Sequence, residues 1–130
     1  MYVATTNAIK VTVEPAFVEE HSSPTDGYFF WSYTVEIANL STEPVRLRRR
    51  FWRIIDANGE KEEVRGQGVV GEEPLIEPGD SYVYTSGAPL TTSSGFMDGT
   101  YGMETQTGDT FEVDIPAFSL DSPFEPHTVN

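Results

Sequence analysis

"YFFWSYTVEIANL", residues 28–40, puts Phe29, Trp31, Tyr33, Val35 and Ile37 on one face and Ser32, Thr34 and Glu36 on the other. A period of two is that of a β-strand with one buried face, and β-branched and aromatic side chains fit a pleated surface. Upstream, Ile9, Val11 and Val13 alternate with Lys10, Thr12 and Glu14 in the same way. Pro15 follows and lacks the N–H that a sheet ladder needs, which predicts an edge position or a break.

Downstream the pattern continues between turn signals. "SSPTDG" (22–27) and "STEP" (41–44) flank the quoted strand, and "VRLRRRFWRIIDANG" (45–59) then places Val45, Leu47 and Phe51 against Arg46, Arg48, Arg50 and Trp52, with less clean faces. Asn58-Gly59 predicts a two-residue type I′ hairpin, in which both positions take positive φ, so "EKEEVRGQG" (60–68) returns antiparallel to the arginine-rich strand. Pro78-Gly79 predicts a type II turn before Tyr82 and Tyr84. After a loop through "APLTTSSG" come "DGTYGMETQ", a turn at Thr107-Gly108-Asp109, and Phe111, Val113 and Ile115 on a shared face. Seven short strands predict an all-β, antiparallel sandwich of immunoglobulin or fibronectin type III style, without the Cys…Trp…Cys signature of true immunoglobulin domains. No repeat or linker divides residues 1–130, which predicts a single domain. Its Pro-rich tail from about residue 121 is expected to fray at the end, with Phe118, Leu120 and Phe124 tying its first part to the body.

A formal charge of −13 repels phosphate backbones and argues against nucleic-acid binding. The absence of cysteine excludes disulfides and thiolate metal sites. No stretch approaches the ~20 apolar residues of a membrane span, and the N-terminus lacks an export signal, so a cytoplasmic protein without membrane partners is expected. Asn39-Leu40-Ser41 matches a glycosylation sequon, which has no use without export.

Two features invite a binding function. Gly66, Gly68 and Gly71 in "VRGQGVVGEEP" have the spacing of a dinucleotide fingerprint, but the fingerprint requires a helix after the last glycine, and "EEPLIEPG" carries two prolines instead. The window about 20 residues on holds no ribose-binding acid, and no Gly-Lys-Ser/Thr follows. Two readings stay open: an anion nest beside Arg65, or glycines that serve a bulge or a close strand crossing. The second feature is basic: Arg46, Arg48, Arg49, Arg50 and Arg53 supply five of the eight basic residues. On a regular strand Arg46, Arg48 and Arg50 share a face with Trp52, a surface suited to phosphate, acidic peptide or a stacked base. The alternative is an exposed strand face balanced by Glu60, Glu62 and Glu63 across the hairpin. His21 and His127 are isolated, the carboxylates lack metal-ligand spacing, and no nucleophile has a base, so no enzymatic activity, metal site or cofactor is expected.

"RRRFWRIIDANG", "EVRGQGVVGEEPLIEPGDSYVYTSG", "FMDGTYGM" and "IPAFSLDSP", in this order, resemble the ApaG family over most of residues 9–123. The resemblance implies a fibronectin type III-like β-sandwich whose biochemical function is unresolved. It also implies a genetic association with cobalt resistance and magnesium efflux, and a protein-interaction role by analogy with eukaryotic members. For Gly66, Gly68 and Gly71 it implies the pyrophosphate or nucleotide binding proposed for the family's glycine motif. Where the family usually reads Arg-His-Trp, this chain has Arg50-Phe51-Trp52, so no role of that histidine carries over. The combined expectation is a non-enzymatic module that binds an unidentified protein, with two candidate sites: an interaction patch of Arg46, Arg48, Arg50 and Trp52, and a ligand site of Arg65, Gly66, Gly68 and Gly71. The alternative is a sensor of pyrophosphate or a polyphosphate nucleotide. Unprotected sandwich edges also admit a homodimer.

Overall fold

A computed structural model of the chain describes residues 1–124. His127 and the end of the tail lie outside the described residues. Nine strands follow in order: β1 (Tyr2–Thr6), β2 (Ile9–Phe17), β3 (Phe29–Asn39), β4 (Val45–Asp56), β5 (Lys61–Gln67), β6 (Leu75–Ile76), β7 (Ser81–Leu90), β8 (Ser94–Thr105) and β9 (Thr110–Asp121). They form two antiparallel sheets. One runs β1-β2-β3-β7, and the other runs β5-β4-β8-β9, with β6 pairing the beginning of β4. No helix among the described residues is long and apolar enough to cross a membrane.

The alternation in β3 determines the packing: Phe29, Trp31, Tyr33, Val35 and Ile37 are all buried between the sheets. Opposite them Trp52 forms the hub of an aromatic cluster, with its ring 5.0 Å from Tyr33, 6.1 Å from Phe118 and 6.4 Å from Tyr101. Edge-to-face pairs of this kind add about 0.5–1.5 kcal/mol each beyond area burial. Phe118 and Leu120 belong to β9 and are buried, while the Phe124 ring packs at a tilt against Phe17, 5.8 Å away.

Several turns differ from expectation. β1 and β6 were not among the seven expected strands, and β7 runs on through Ala88-Pro89-Leu90 where a loop was expected. At Asn58-Gly59 only Gly59 has positive φ, so the type I′ reading is corrected. Asp56 reorganises that turn: its carboxylate accepts from the N–H groups of Asn58 and Glu60, and its carbonyl from Gly59. Pro15 stays within β2, opposite Tyr33, but beyond Val13, the last residue of β2 that pairs with β1. The Pro78-Gly79 turn closes with Asp80 N–H donating to Glu77 C=O and Gly79 at φ 83°, as a type II turn requires.

Asn39 ends β3 fully buried. Its amide donates to the carbonyls of Glu43 and Ile76, both at 2.9 Å, and its carbonyl accepts from the Ser41 N–H and hydroxyl. The sequon amide is thereby committed to joining β3 to β6. Asn39→Ala leaves two carbonyls without this donor, and a loss of about 2–3 kcal/mol is expected. Urea unfolding checks this as a lower midpoint at unchanged slope.

Candidate functional site

The two sheets close on one side and stay apart on the other. On the closed side Thr6 Oγ1 accepts from Asp114 N–H and the Tyr2 hydroxyl meets Ser119 Oγ, which ties β1 to β9. On the open side β7 and β5 do not pair, and a cleft leads in between them.

What faces this cleft is decided inside β4. Leu47 pairs with Met103 and Arg49 with Gly102, so Arg48 is an extra residue, a β-bulge that reverses the inward and outward positions of the strand beyond it. Val45 and Leu47 point into the core before the bulge, and Trp52 does so after it. The expected face of Arg46, Arg48, Arg50 and Trp52 is therefore corrected: Trp52 is a core residue, 3 % exposed, and cannot belong to a surface plate with Arg46.

The glycine segment lies opposite the bulge. Gly68 N–H donates to the carbonyl of Arg48, and the chain turns at Val70-Gly71, both with positive φ (44° and 81°), under reciprocal bonds between Val69 and Glu72. This is the positive-φ pair of a type I′ turn, formed here around a β-branched residue. The Gly68, Val69 and Glu72 amides are occupied by these backbone bonds.

Three arginines of β4 clasp the loop. Arg46 donates to the Glu73 carbonyl at 2.8 Å, and Arg48 pairs with the Glu73 carboxylate at 2.9 Å and with Glu104 at 3.2 Å. Arg50 Nη1 donates to the carbonyls of Gln67 and Gly68, both at 2.9 Å. Gly66 is the cross-strand partner of Arg50, and the guanidinium lies where a Cβ at Gly66 would be, 2.7 Å from it. The partners expected across the hairpin, Glu60, Glu62 and Glu63, do not form these arginine pairs; Glu63 instead neighbours Lys61 and Arg65 of its own strand.

Arg65 is separated from the loop's clasp. It projects from the outer face and covers the Phe51 ring at 4.5 Å, beside the bidentate Arg53–Asp98 pair at 2.9 and 2.6 Å. Phe51, in the position where histidine was expected from the family pattern, thus supplies an aromatic platform for Arg65. A cation over an exposed ring contributes about 0.5–1 kcal/mol.

The cleft behind the loop holds a pocket of about 190 Å³ lined by Arg50, Tyr33, Trp52, Tyr84 and Ser86 under Val69, Val70 and Gly71. A second of about 260 Å³ adjoins it and shares Tyr33, Arg50, Trp52 and Ser86. Tyr84 and Tyr101 hydroxyls hydrogen-bond in the interior. Burial pushes the phenols of Tyr33, Tyr84 and Tyr101 above their ordinary value, opposed in each case by the positive charge of Arg50. Above them Tyr82 donates to Glu72 at 2.9 Å, bridging β7 to the loop. Among the described residues no group of three or more His, Asp or Glu side chains is placed to hold a metal ion. Tyr33, Tyr84 and Ser86 were not among the expected site residues. The odd spacing of Leu47 and Trp52, two core residues of one strand, was the available signal for the bulge that brings Arg50 to them.

Comparison with known proteins agrees with this architecture. The ApaG domain family model matches residues 19–105. A protein of Brucella anthropi named Protein ApaG is 57% identical over 130 residues, all of both chains. One of the same name from Methylorubrum populi is 60% identical over 123 residues, 95% of each. A crystal structure of a Bordetella pertussis protein described as ApaA superposes with a TM-score of 0.86 at 42% identity, covering 89% of this chain and 94% of that one. The C-terminal domain of Wzt shares the fold alone, at a TM-score of 0.56 and 12% identity, over 99% of this chain and 88% of that one.

The glycines are expected to differ in sensitivity. A side chain at Gly68 (φ 61°) would collide with the Glu72 carbonyl, whereas Gly71 (φ 81°) faces open space. Gly68→Ala should lose about 2–4 kcal/mol and Gly71→Ala only about 1 kcal/mol in urea unfolding. Alkali provides a further check. The raised phenols keep their protons when folded while an unfolded tyrosine ionises near 10.0, so the unfolded state binds fewer protons above that pH. Stability is expected to be intact below about pH 10 and to fall as pH rises further, with a smaller slope in Tyr84→Phe; urea midpoints across alkaline pH measure it.

Proposed function

This chain belongs to the ApaG family, and we propose that it is a non-enzymatic binding module that engages another protein along the open side of its sandwich. The observation that carries this reading is that the terminal strands β7 and β5 stay apart beside the cleft, whereas the terminal strands on the opposite side, β1 and β9, are tied to each other. A free edge offers N–H and C=O groups in strand register to an incoming extended segment. Val83, on edge strand β7, adds an exposed apolar side chain.

In this reading, a role in magnesium or cobalt physiology is exercised through the partner. The other reading, pyrophosphate or a polyphosphate nucleotide at the glycine turn, has the nearby Arg50 in its favour. It draws less support from the turn itself, because the Gly68, Val69 and Glu72 amides are already bonded and Glu72 and Glu73 add negative charge.

Purified tagged protein, cross-linked in extract, is expected to recover a stoichiometric partner with cross-links on β7 or β5. Val83→Lys, which places a charge on the apolar edge, should remove that partner without lowering the unfolding midpoint. Recovery of no stoichiometric partner, or equal recovery by the variant, contradicts the proposal.

A further inference from the structure

Arg50 carries a charge that the described residues leave without a counter-ion. Among the described residues it forms no ion pair; Arg46 and Arg49 form none either, but of the three only Arg50 lines the cleft. Nη1 is held by two carbonyls, and Nε and Nη2 make no hydrogen bond among the described residues. A guanidinium presents its donors as a planar fork, and two carbonyls on one nitrogen fix the direction of that fork. Arg50 lines the cleft together with Tyr33, Trp52 and Ser86, the residues common to both of its pockets. A cation in a partly desolvated recess without a partner is costly and gains strongly from an anion that supplies one.

The surroundings select the class of anion. There is one cation at the back of the cleft, with Glu62 lining one pocket and Glu72 and Glu73 flanking the loop. A dianion or pyrophosphate would meet one guanidinium and several carboxylates, and the Gly68, Val69 and Glu72 amides are committed elsewhere. A monoanion of planar, two-oxygen shape matches a single fork. We propose that the cleft is a carboxylate receptor: Arg50, with Ser86 and the Tyr33 phenol beside it, receives one acidic side chain from a partner segment laid along the free edge of β7. This inference rests on the module reading above and names the chemistry by which the partner is recognised.

The test is an NMR titration of ¹⁵N-labelled full chain. The probes are sodium acetate, the capped peptide acetyl-Thr-Val-Glu-Val-Thr-amide, its glutamine counterpart, inorganic phosphate and pyrophosphate, all at matched ionic strength. Acetate and the glutamate peptide are expected to shift the Arg50 Nε–H and the Ser86 and Gly68 amides saturably, with the peptide tighter. The glutamine peptide should bind about tenfold more weakly, the loss expected for a hydrogen bond to a charged group. Arg50→Lys, which keeps charge but not the fork, should weaken binding about tenfold, and Ser86→Ala about threefold. If Arg50→Lys perturbs the fold, Ser86→Ala and the glutamine peptide decide the matter alone.

No saturable carboxylate shift, shifts elsewhere on the surface, or tighter binding of phosphate or pyrophosphate at Arg50 overturns the receptor. Partner capture that persists without carboxylate binding overturns the receptor and leaves the module reading standing. Glutamate-peptide binding at Arg50 with no captured partner supports the receptor and counts against the module reading.

Discussion

Because Arg48 has no partner on β8, β4 changes phase halfway along its length, and the identity of every inward residue beyond it follows. Without the extra residue Phe51 would face the core and Trp52 the solvent. With it, Trp52 enters the aromatic cluster and Arg50 is carried to the inner side of the sheet, at the open mouth of the sandwich. On the opposite, β5 side of the strand the Arg48 carbonyl accepts from Gly68 N–H, so bulge and glycine loop meet at one residue.

The same unit assigns different work to neighbouring arginines. Arg46 and Arg48 hold the returning arm at Glu73, in ties that are partly exposed and individually contribute about 0–1 kcal/mol. Arg50 holds the departing arm through two carbonyls on Nη1 and lines the cleft. Gly66 makes this possible by having no side chain where the guanidinium lies. Two sequence features that look independent, a glycine motif and a basic run, are thus two sides of one cross-strand contact. The outer face, with Arg65 on Phe51 and Arg53 on Asp98, is a separate surface.

Much of the fold is legible from local alternation, most clearly in β3, whose inward residues are the buried ones. Features decided by tertiary context are not. β6 is two residues long and exists through its pairing with Val45 and Arg46. The hairpin between β1 and β2 turns on Asn7-Ala8 with φ 49° and 64°, and alanine gives no turn signal. Val70 likewise adopts a left-handed conformation that a β-branched residue rarely takes, so a positive-φ pair sits at Val70-Gly71, whereas Asn58-Gly59 does not form one. For the site, the expected residues were nearly adjacent to the structural answer. Arg50, Gly66 and Gly68 do come together; Trp52 leaves the face of Arg46 because a strict period of two cannot anticipate a bulge, and Arg65 leaves Gly66 because adjacent residues of a strand face opposite sides.

The central claim is that Arg50 points inward, fixed over Gly66 by the Gln67 and Gly68 carbonyls. Its most direct measurement is the guanidinium NMR spectrum of the ligand-free, selectively labelled protein. The account expects hindered Cζ–Nη rotation, resolved Nη–H signals, and NOEs from them to both Gly66 Hα protons. A freely rotating guanidinium with averaged signals and no contact to Gly66 would contradict it, and with it the cleft, the role of the first glycine and the phase change at Arg48.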